Sequence, residues 1–270
     1  MLPDAKLWWP PRRGYAILKR ANSLRFAYFS RYVPSWEGVK VLDVGCGGGY
    51  TCEYLARRRA IVFGTDISAG SLDAARNHAA QISLRIDYRL ADPQSLPFES
   101  GEMDVVTCLE VLEHIPDVGP TLVEIHRVLK PSGRVFFDTV NRTFWSRIIA
   151  IWAGETVLRL IERGTHDWRL FKKPEEIEDY LRRCGFGEIE LGGLRLKFLP
   201  WDKGGLPLRV SRSGNMSVVY FGSAVRQAGR DPVRLSSGST SPWRPPGQNW
   251  PGRAAGRGGF SPFRRSYRRP

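Results

Sequence analysis

An open, doubly wound α/β sheet of seven strands, with a helical insertion after the fifth, is the fold this 270-residue sequence predicts. Three observations lead there. Between Val39 and about Asn141, short apolar runs alternate with segments of helical periodicity, the pattern of parallel strands joined by crossover helices. The first of these runs, VLDVGCGGGY from Val41 to Tyr50, passes directly into Gly45, Gly47, Gly48 and Gly49. Hydrophobic residues make up 42% of the chain, enough for one sizeable core.

Taken in order, VKVLDVG is the first strand and TCEYLARRR the helix behind it. AIVFGTDI is the second strand, and SLDAARNHAA a second helix opened by a serine cap. LRIDYRLAD supplies the third strand. MDVVTCLEVLEHI is a fourth strand running into a turn, followed by the helix TLVEIHRVLK. Lys130-Pro131-Ser132-Gly133 stops that helix, and RVFFDTVN is the fifth strand. GFGEIELGGLRLKF and NMSVVYFGSAV complete the seven as a closing antiparallel pair. His78 and His126 fall on helices and read as solvated surface residues.

The segment from Arg142 to Arg183 is too long for a simple crossover. Trp145, Ile148, Ile149 and Trp152 recur there at helical spacing, with Arg147, Arg159 and Arg163 nearby. That pattern suits a helix packed on the core, or one lying in a membrane interface with its arginines at the headgroups. The domains expected are an N-terminal helical segment (1–38) contributing to the ligand pocket, the folded unit (39–225) with its insertion at 142–183, and a tail (226–270).

Charge is concentrated in that tail. Of the formal net charge of +14, residues 226–270 carry ten arginines against a single acid, Asp231, leaving about +5 for the rest. Seven glycines and seven prolines in the same stretch give it the composition of a disordered segment. Interleaved Trp, Phe and Tyr make RNA or anionic lipid conceivable partners for it. Cys46, Cys52, Cys108 and Cys184 form no CxxC pair, which argues against a zinc cage or a disulfide framework. With no secretion signal and no apolar run long enough to span a bilayer, a cytoplasmic location is expected.

The glycine loop narrows the ligand. A dinucleotide fingerprint would place its third glycine at position 50, where Tyr50 stands. Asp43 precedes the loop, and a carboxylate there would repel a pyrophosphate and favour a cationic group. Asp66, twenty-one residues beyond Gly45 at the end of the second strand, sits where such folds hold both ribose hydroxyls. Asp92, after the third strand, is placed to accept from an adenine amino group. A ribose, an adenine, a positive end and no phosphate describe S-adenosylmethionine (SAM).

In sequence order, Asp43, Asp66, Asp92 and LKPSG resemble the class I SAM-dependent methyltransferases over about Val39 to Val225, implying a Rossmann-like fold. More specifically, Trp8-Trp9 followed by KRANSLRFAY, the run VVTCLEVLEHIPD, Thr139-Val140-Asn141-Arg142 and RGTHDWRLFKKPEEI are similar to the ubiquinone-biosynthesis O-methyltransferase family. The resemblance implies that Arg25, Gly45, Asp66 and Leu109 bind SAM, with Asp43, Gly47 and Asp92 completing the pocket. It also implies a lipophilic, polyprenylated catechol as acceptor, and membrane contact by the insertion, peripheral on the inner face of the cell membrane.

A phenol, with a pKa of about 10, is a poor nucleophile at neutral pH and must lose its proton to attack a sulfonium methyl. Glu110, Glu113 and His114 form ExxEH just past the fourth strand, spaced to share one helical face. The matching positions bind magnesium in mitochondrial relatives, so these three are candidate Mg2+ ligands. Without a metal, His114 is the nearest base, His166 of GTHD the second candidate, and Glu110 a further catalytic carboxylate. Asn141, Arg142 and His166 are expected to line the entrance. A different small-molecule acceptor, or an RNA-binding protein or RNA methyltransferase using the tail, are the alternatives.

Overall fold

The computed structural model describes residue 22, residues 25–146, 167–198 and 208–230, and residue 232. The N-terminal Trp8-Trp9 pair, Ile148, Ile149, Trp152, His166 and nearly all of the tail lie outside these residues.

The strands are β1 (Lys40–Val44), β2 (Ile61–Asp66), β3 (Asp87–Leu90), β4 (Met103–Leu109), β5 (Leu129–Val140), β6 (Phe186–Phe198), β7 (Leu208–Ser213) and β8 (Val219–Arg226). They form one sheet in the order β3-β2-β1-β4-β5-β8-β6-β7. The first five are parallel. β8 runs antiparallel to both β5 and β6, which is the expected closing pair. The seven anticipated strands are all present, and β7 extends the sheet by pairing with the distal half of β6. The chain reverses its winding between β1 and β4, so the C-terminal ends of those strands open the crevice where Rossmann-like sheets take ligands.

Helices α1 (Tyr50–Ala56), α2 (Ala69–Gln81), α3 (Gly119–Val128) and α4 (Pro174–Arg183) cover the sheet. Strand side chains alternate between two apolar layers. Leu42, Val44, Val106, Cys108, Val135 and Phe137 face one core, with Leu122, Ile125, Ile177 and Leu181 from α3 and α4. Val41, Val62, Val105 and Phe136 face the other, with Leu55, Leu72 and Ala75. That second layer also takes Phe26 and Phe29, one helical turn apart. Phe29 stacks on Phe136 at 4.2 Å and Phe26 on Tyr54 at 3.9 Å. This aromatic anchoring fixes where Arg25, their chain neighbour, enters the sheet.

Three local readings are corrected. The cap of α2 is Ser68, whose hydroxyl accepts from Ser71 N at 3.2 Å, so the helix opens before SLDAARNHAA. α3 ends at Val128, and β5 already begins at Leu129. Lys130 to Gly133 forms an irregularity within that strand: the pairing with β4 jumps from Leu129 to Arg134, and Ser132 takes φ 64°. His126 is buried, 3% exposed and edge-on to Phe186 at 5.3 Å, because α3 turns that face to the sheet. His78 is half-buried against Glu53, its Nδ1 lying 2.5 Å from the carboxylate.

Candidate active site

The loop after β1 owes its shape to glycine. Gly45 has φ +72° and Gly49, which precedes α1, has φ +86°, both in the region L side chains avoid. The backbone amides of Gly45 and Cys46 donate to Thr65 O at 2.7 and 2.9 Å, tying the loop to β2. A Cβ added at Gly45 would lie 2.3 Å from a methyl of Val111, so the loop touches the turn that follows β4.

Asp66 closes the loop from the neighbouring strand. Its Oδ2 accepts from Gly47 N at 2.9 Å and its Oδ1 from Ser68 N at 2.8 Å. Each oxygen keeps a further lone pair, so the carboxylate is fixed yet still able to accept from a ligand's hydroxyls. Burial raises its pKa, and the backbone amides pull the other way. Asp92, half-buried past β3, accepts from Gln94 N at 2.8 Å. Leu109 is buried at the end of β4, one strand from the loop. These positions suit the ribose, base and apolar contacts of SAM.

Asp43 is turned inward. It accepts from Thr107 Oγ1 at 2.6 Å and from Cys52 Sγ at 3.5 Å, linking β1 to β4 and α1. Burial pushes its pKa up to about 7. These two bonds orient the carboxylate beneath the glycine loop, and each oxygen keeps a further lone pair. Arg25 is held by two acids and an amide. Its guanidinium donates through Nε to Asp138 and through Nη2 to Glu110, and through Nη1 to Asn22 at 3.2 Å. Burial alone would lower the arginine's pKa, but the charges of Asp138 and Glu110 outweigh it and the pKa rises.

On the other side of the crevice, the ends of β4 and β5 bring carboxylates together. Register places Leu109 beside Asp138. The next residue, Glu110, adopts φ 56°, a costly conformation for a residue with a Cβ, which lets its backbone N donate to Asp138 Oδ1 at 2.8 Å while its carboxylate meets Arg25. A short 3-10 turn, Leu112–His114, follows. Glu113 within it is fully buried and accepts from Thr139 Oγ1 at 2.9 Å; burial holds its pKa well above the usual carboxylate range. Lys172 clamps this turn to the chain after the insertion, its ammonium donating to Ile115 O at 3.0 Å and to Leu170 O. Tyr220 of β8 donates to Lys172 O at 3.0 Å. Just past β5, Phe144 and Trp145 are 69% and 61% exposed.

The candidate metal ligands do not converge. Glu110 pairs with Arg25 and one oxygen of Glu113 accepts from Thr139, and among the described residues no group of three His, Cys, Asp or Glu side chains is arranged to hold an ion. His114 is half-buried on the same turn. Asn141 sits at the end of β5, and Arg142 pairs with Glu176 of α4. Sequence reasoning missed Asp138, Thr139, Lys172 and Tyr220. Thr139 and Lys172 lay within the quoted motifs TVNR and RGTHDWRLFKKPEEI, and Asp138 left a signal as an acid at the end of the otherwise apolar strand RVFFDTV.

Comparison with known proteins agrees with this geometry. Residues 42–137 match the family described as Methyltransferase domain. The chain is 40% identical over 193 residues to the ubiquinone biosynthesis O-methyltransferase of Marinobacter nauticus, covering 70% of this chain and 81% of that protein. Against the enzyme of the same name from Bordetella avium it is 38% identical over 219 residues, covering 80% and 88%. Among solved structures, the YcgJ protein from Bacillus subtilis superposes with a TM-score of 0.59 at 14% identity, covering 76% of this chain and 99% of that one. Magnesium protoporphyrin IX methyltransferase from Synechocystis, solved with bound SAH, superposes at 0.56 and 21% identity, covering 78% and 84%. The last two establish the fold alone. By its relatives, its glycine loop and its strand order, the chain is a SAM-dependent O-methyltransferase and belongs to the ubiquinone biosynthesis O-methyltransferase family.

Proposed function

We propose that this enzyme methylates a phenolic hydroxyl of a lipophilic, polyprenylated catechol, a quinone precursor. The observation that carries the reading is the contact between its two halves. Val111, which follows Glu110, reaches the glycine loop at Gly45, so the donor loop and the Arg25–Glu110–Asp138 cluster border one crevice. The names borne by the relatives point to the same acceptor class.

SAM, when bound, supplies an electrophilic methyl on a cationic sulfur. Asp66 and the Gly45–Gly49 loop would hold it, with Asp92 and Leu109 beside the base. The chain's remaining task is to take the phenol's proton and keep the oxygen in line with the methyl. His114 is the side chain of this turn whose ordinary pKa lies nearest neutrality, and we assign it the role of base. Arg25 keeps the Glu110 and Asp138 charges compensated, so the crevice wall does not repel a developing phenolate.

The exposed aromatics Phe144 and Trp145 support peripheral contact with lipid at the crevice mouth, where a prenyl chain would leave. Among the described residues no helix is long and apolar enough to cross a membrane. The test is transfer of labelled methyl from SAM to a short-chain prenylated catechol, with EDTA present and then with magnesium. Transfer that persists in EDTA is expected. Measurable SAM binding with no transfer under either condition would send the acceptor assignment elsewhere.

A further inference from the structure

Methyl transfer uses none of the four cysteines, yet two of them meet beneath the glycine loop. Cys46 belongs to the loop itself and Cys52 to α1. Gly49 N donates to Cys46 O at 2.9 Å, closing a turn, and Glu53 N donates to Gly49 O at 2.9 Å as α1 begins. That turn folds Cys52 back towards Cys46. Asp43 of β1 and Gly64 of β2 are register partners, on strands about 4.8 Å apart whose paired side chains project from one face. The Cys52 thiol donates to Asp43 Oδ2 at 3.5 Å, and a Cβ added at Gly64 would lie 3.0 Å from Cys46 Sγ. The two sulfurs therefore stand over adjacent positions of the same face, within hydrogen-bonding reach of each other. Cys108 and Cys184 pack in the opposite apolar layer, with Leu42, Val44 and Val106, so neither competes as a partner.

Exposure distinguishes the pair. Cys46 is 8% exposed and Cys52 is fully buried, so a small oxidant meets Cys46 first and Cys52 is the thiol held behind it. We propose that Cys46 and Cys52 form a peroxide-sensitive dithiol site, closing to a disulfide that weakens the hold of the glycine loop on SAM. The inference rests on the loop being the SAM site and goes beyond that reading. Hydrogen peroxide first gives one oxygen to Cys46, leaving a sulfenic acid and one water. The Cys52 sulfur then attacks the Cys46 sulfur: the S–S bond forms, the S–O bond breaks, and the hydroxyl leaves as a second water with the Cys52 proton. Peroxide gains the two electrons that the two thiols lose. Asp43, which already accepts the Cys52 S–H, is placed to carry that proton to the departing oxygen. Burial holds both thiols above their ordinary pKa, so closure is slow and answers sustained peroxide, not a brief pulse. Cys46 N donates to Thr65 O at 2.9 Å and Gly47 N to Asp66 Oδ2 at 2.9 Å. A covalent link from Cys46 to α1 pulls on the segment between these two bonds and turns the Gly47 amide from Asp66.

The experiment exposes the reduced full-length enzyme and its Cys52→Ala variant to excess hydrogen peroxide overnight, with and without saturating SAM. Mass spectrometry of proteolytic fragments locates any cross-link, and calorimetry gives the Kd for SAM before oxidation, after it, and after dithiothreitol. The wild type should show a Cys46–Cys52 link, lighter by two hydrogen atoms, with Cys108 and Cys184 still reduced. Its Kd for SAM should rise by about 10-fold or more and recover on reduction. Bound SAM should slow the link, because the two events oppose each other reciprocally. Cys52→Ala should form no link, and its Cys46 should pass to sulfinic acid, which dithiothreitol does not reverse. Cys52→Ser serves if the alanine variant folds poorly. Cys46 and Cys52 left unlinked, or linked with no change in Kd, would overturn the inference. So would a link to Cys108 or Cys184. A reduced wild type that fails to bind SAM would overturn the assignment of the loop itself, and this inference with it.

Discussion

The two walls of the crevice are built on different principles. On the side proposed to hold SAM, between β1 and β2, the work is done by backbone: positive-φ glycines, two amides donating to Thr65 O, and Gly47 N donating to Asp66. On the acceptor side, at the ends of β4 and β5, side chain meets side chain. Arg25 binds Asp138 and Glu110, and Thr139 binds Glu113. A backbone site fixes a shape that one invariant cofactor needs. A side-chain site can be retuned residue by residue, which suits the half that chooses the acceptor.

The largest effect is expected from removing the charge at the centre of the acceptor wall. Arg25→Met would leave Asp138, fully buried, and Glu110 without their cation. Breaking a buried ion pair from one side costs about 3–5 kcal/mol, a fall in melting temperature on the order of 10 °C for a domain of this size. Arg25→Lys should recover only part of it, because one ammonium cannot reproduce the forked geometry. Differential scanning fluorimetry reads both, and a melting temperature unchanged in Arg25→Met would mean the cluster is not a structural hub.

A smaller effect should follow on the other wall. Gly45→Ala places a Cβ at φ +72° and 2.3 Å from the Val111 methyl. Backbone strain of this kind is worth about 1–3 kcal/mol, so SAM affinity should drop roughly 10-fold or more by calorimetry. Retention of wild-type affinity would show that the loop yields and that its backbone shape is not what holds the ligand.

The smallest is a slope. Asp43, raised by burial from 3.8 to about 7, binds a proton in the folded state over a range where the unfolded chain has released it. Its contribution to stability is therefore fully present below about pH 3.8 and is lost as the pH rises through about 7. Asp43→Asn should flatten this part of the decline in melting temperature between about pH 4 and 7. An identical slope in the variant would place the titration elsewhere.

The same contrast explains what could be read from the chain. Four glycines after an apolar strand, with an acid twenty-one residues on, state their geometry locally, because positive φ and a strand-end carboxylate are properties of short segments. Nothing local pairs Arg25 with Asp138, 113 residues away, or Thr139 with Glu113, 26 away. Those meetings exist only once β4 lies beside β5 and the Phe26–Phe29 turn docks on Phe136. The spacing of ExxEH suggested a convergent metal site for a related reason. It assumed a regular helix, whereas Glu110 lies before the turn in a left-handed conformation that swings its carboxylate to Arg25. β7 went unseen because LRVSRS is short and carries only two apolar residues.

The most direct test of the account is the affinity for SAM of Asp66→Ala, measured by isothermal titration calorimetry beside the wild type. The carboxylate's bonds to ribose hydroxyls are charge-assisted, so their loss should cost about 1.5–3 kcal/mol, roughly a 10- to 150-fold rise in Kd. That result would place the cofactor against Gly47 and the end of β2, as the geometry requires. An unchanged Kd would contradict the assignment of this crevice to SAM.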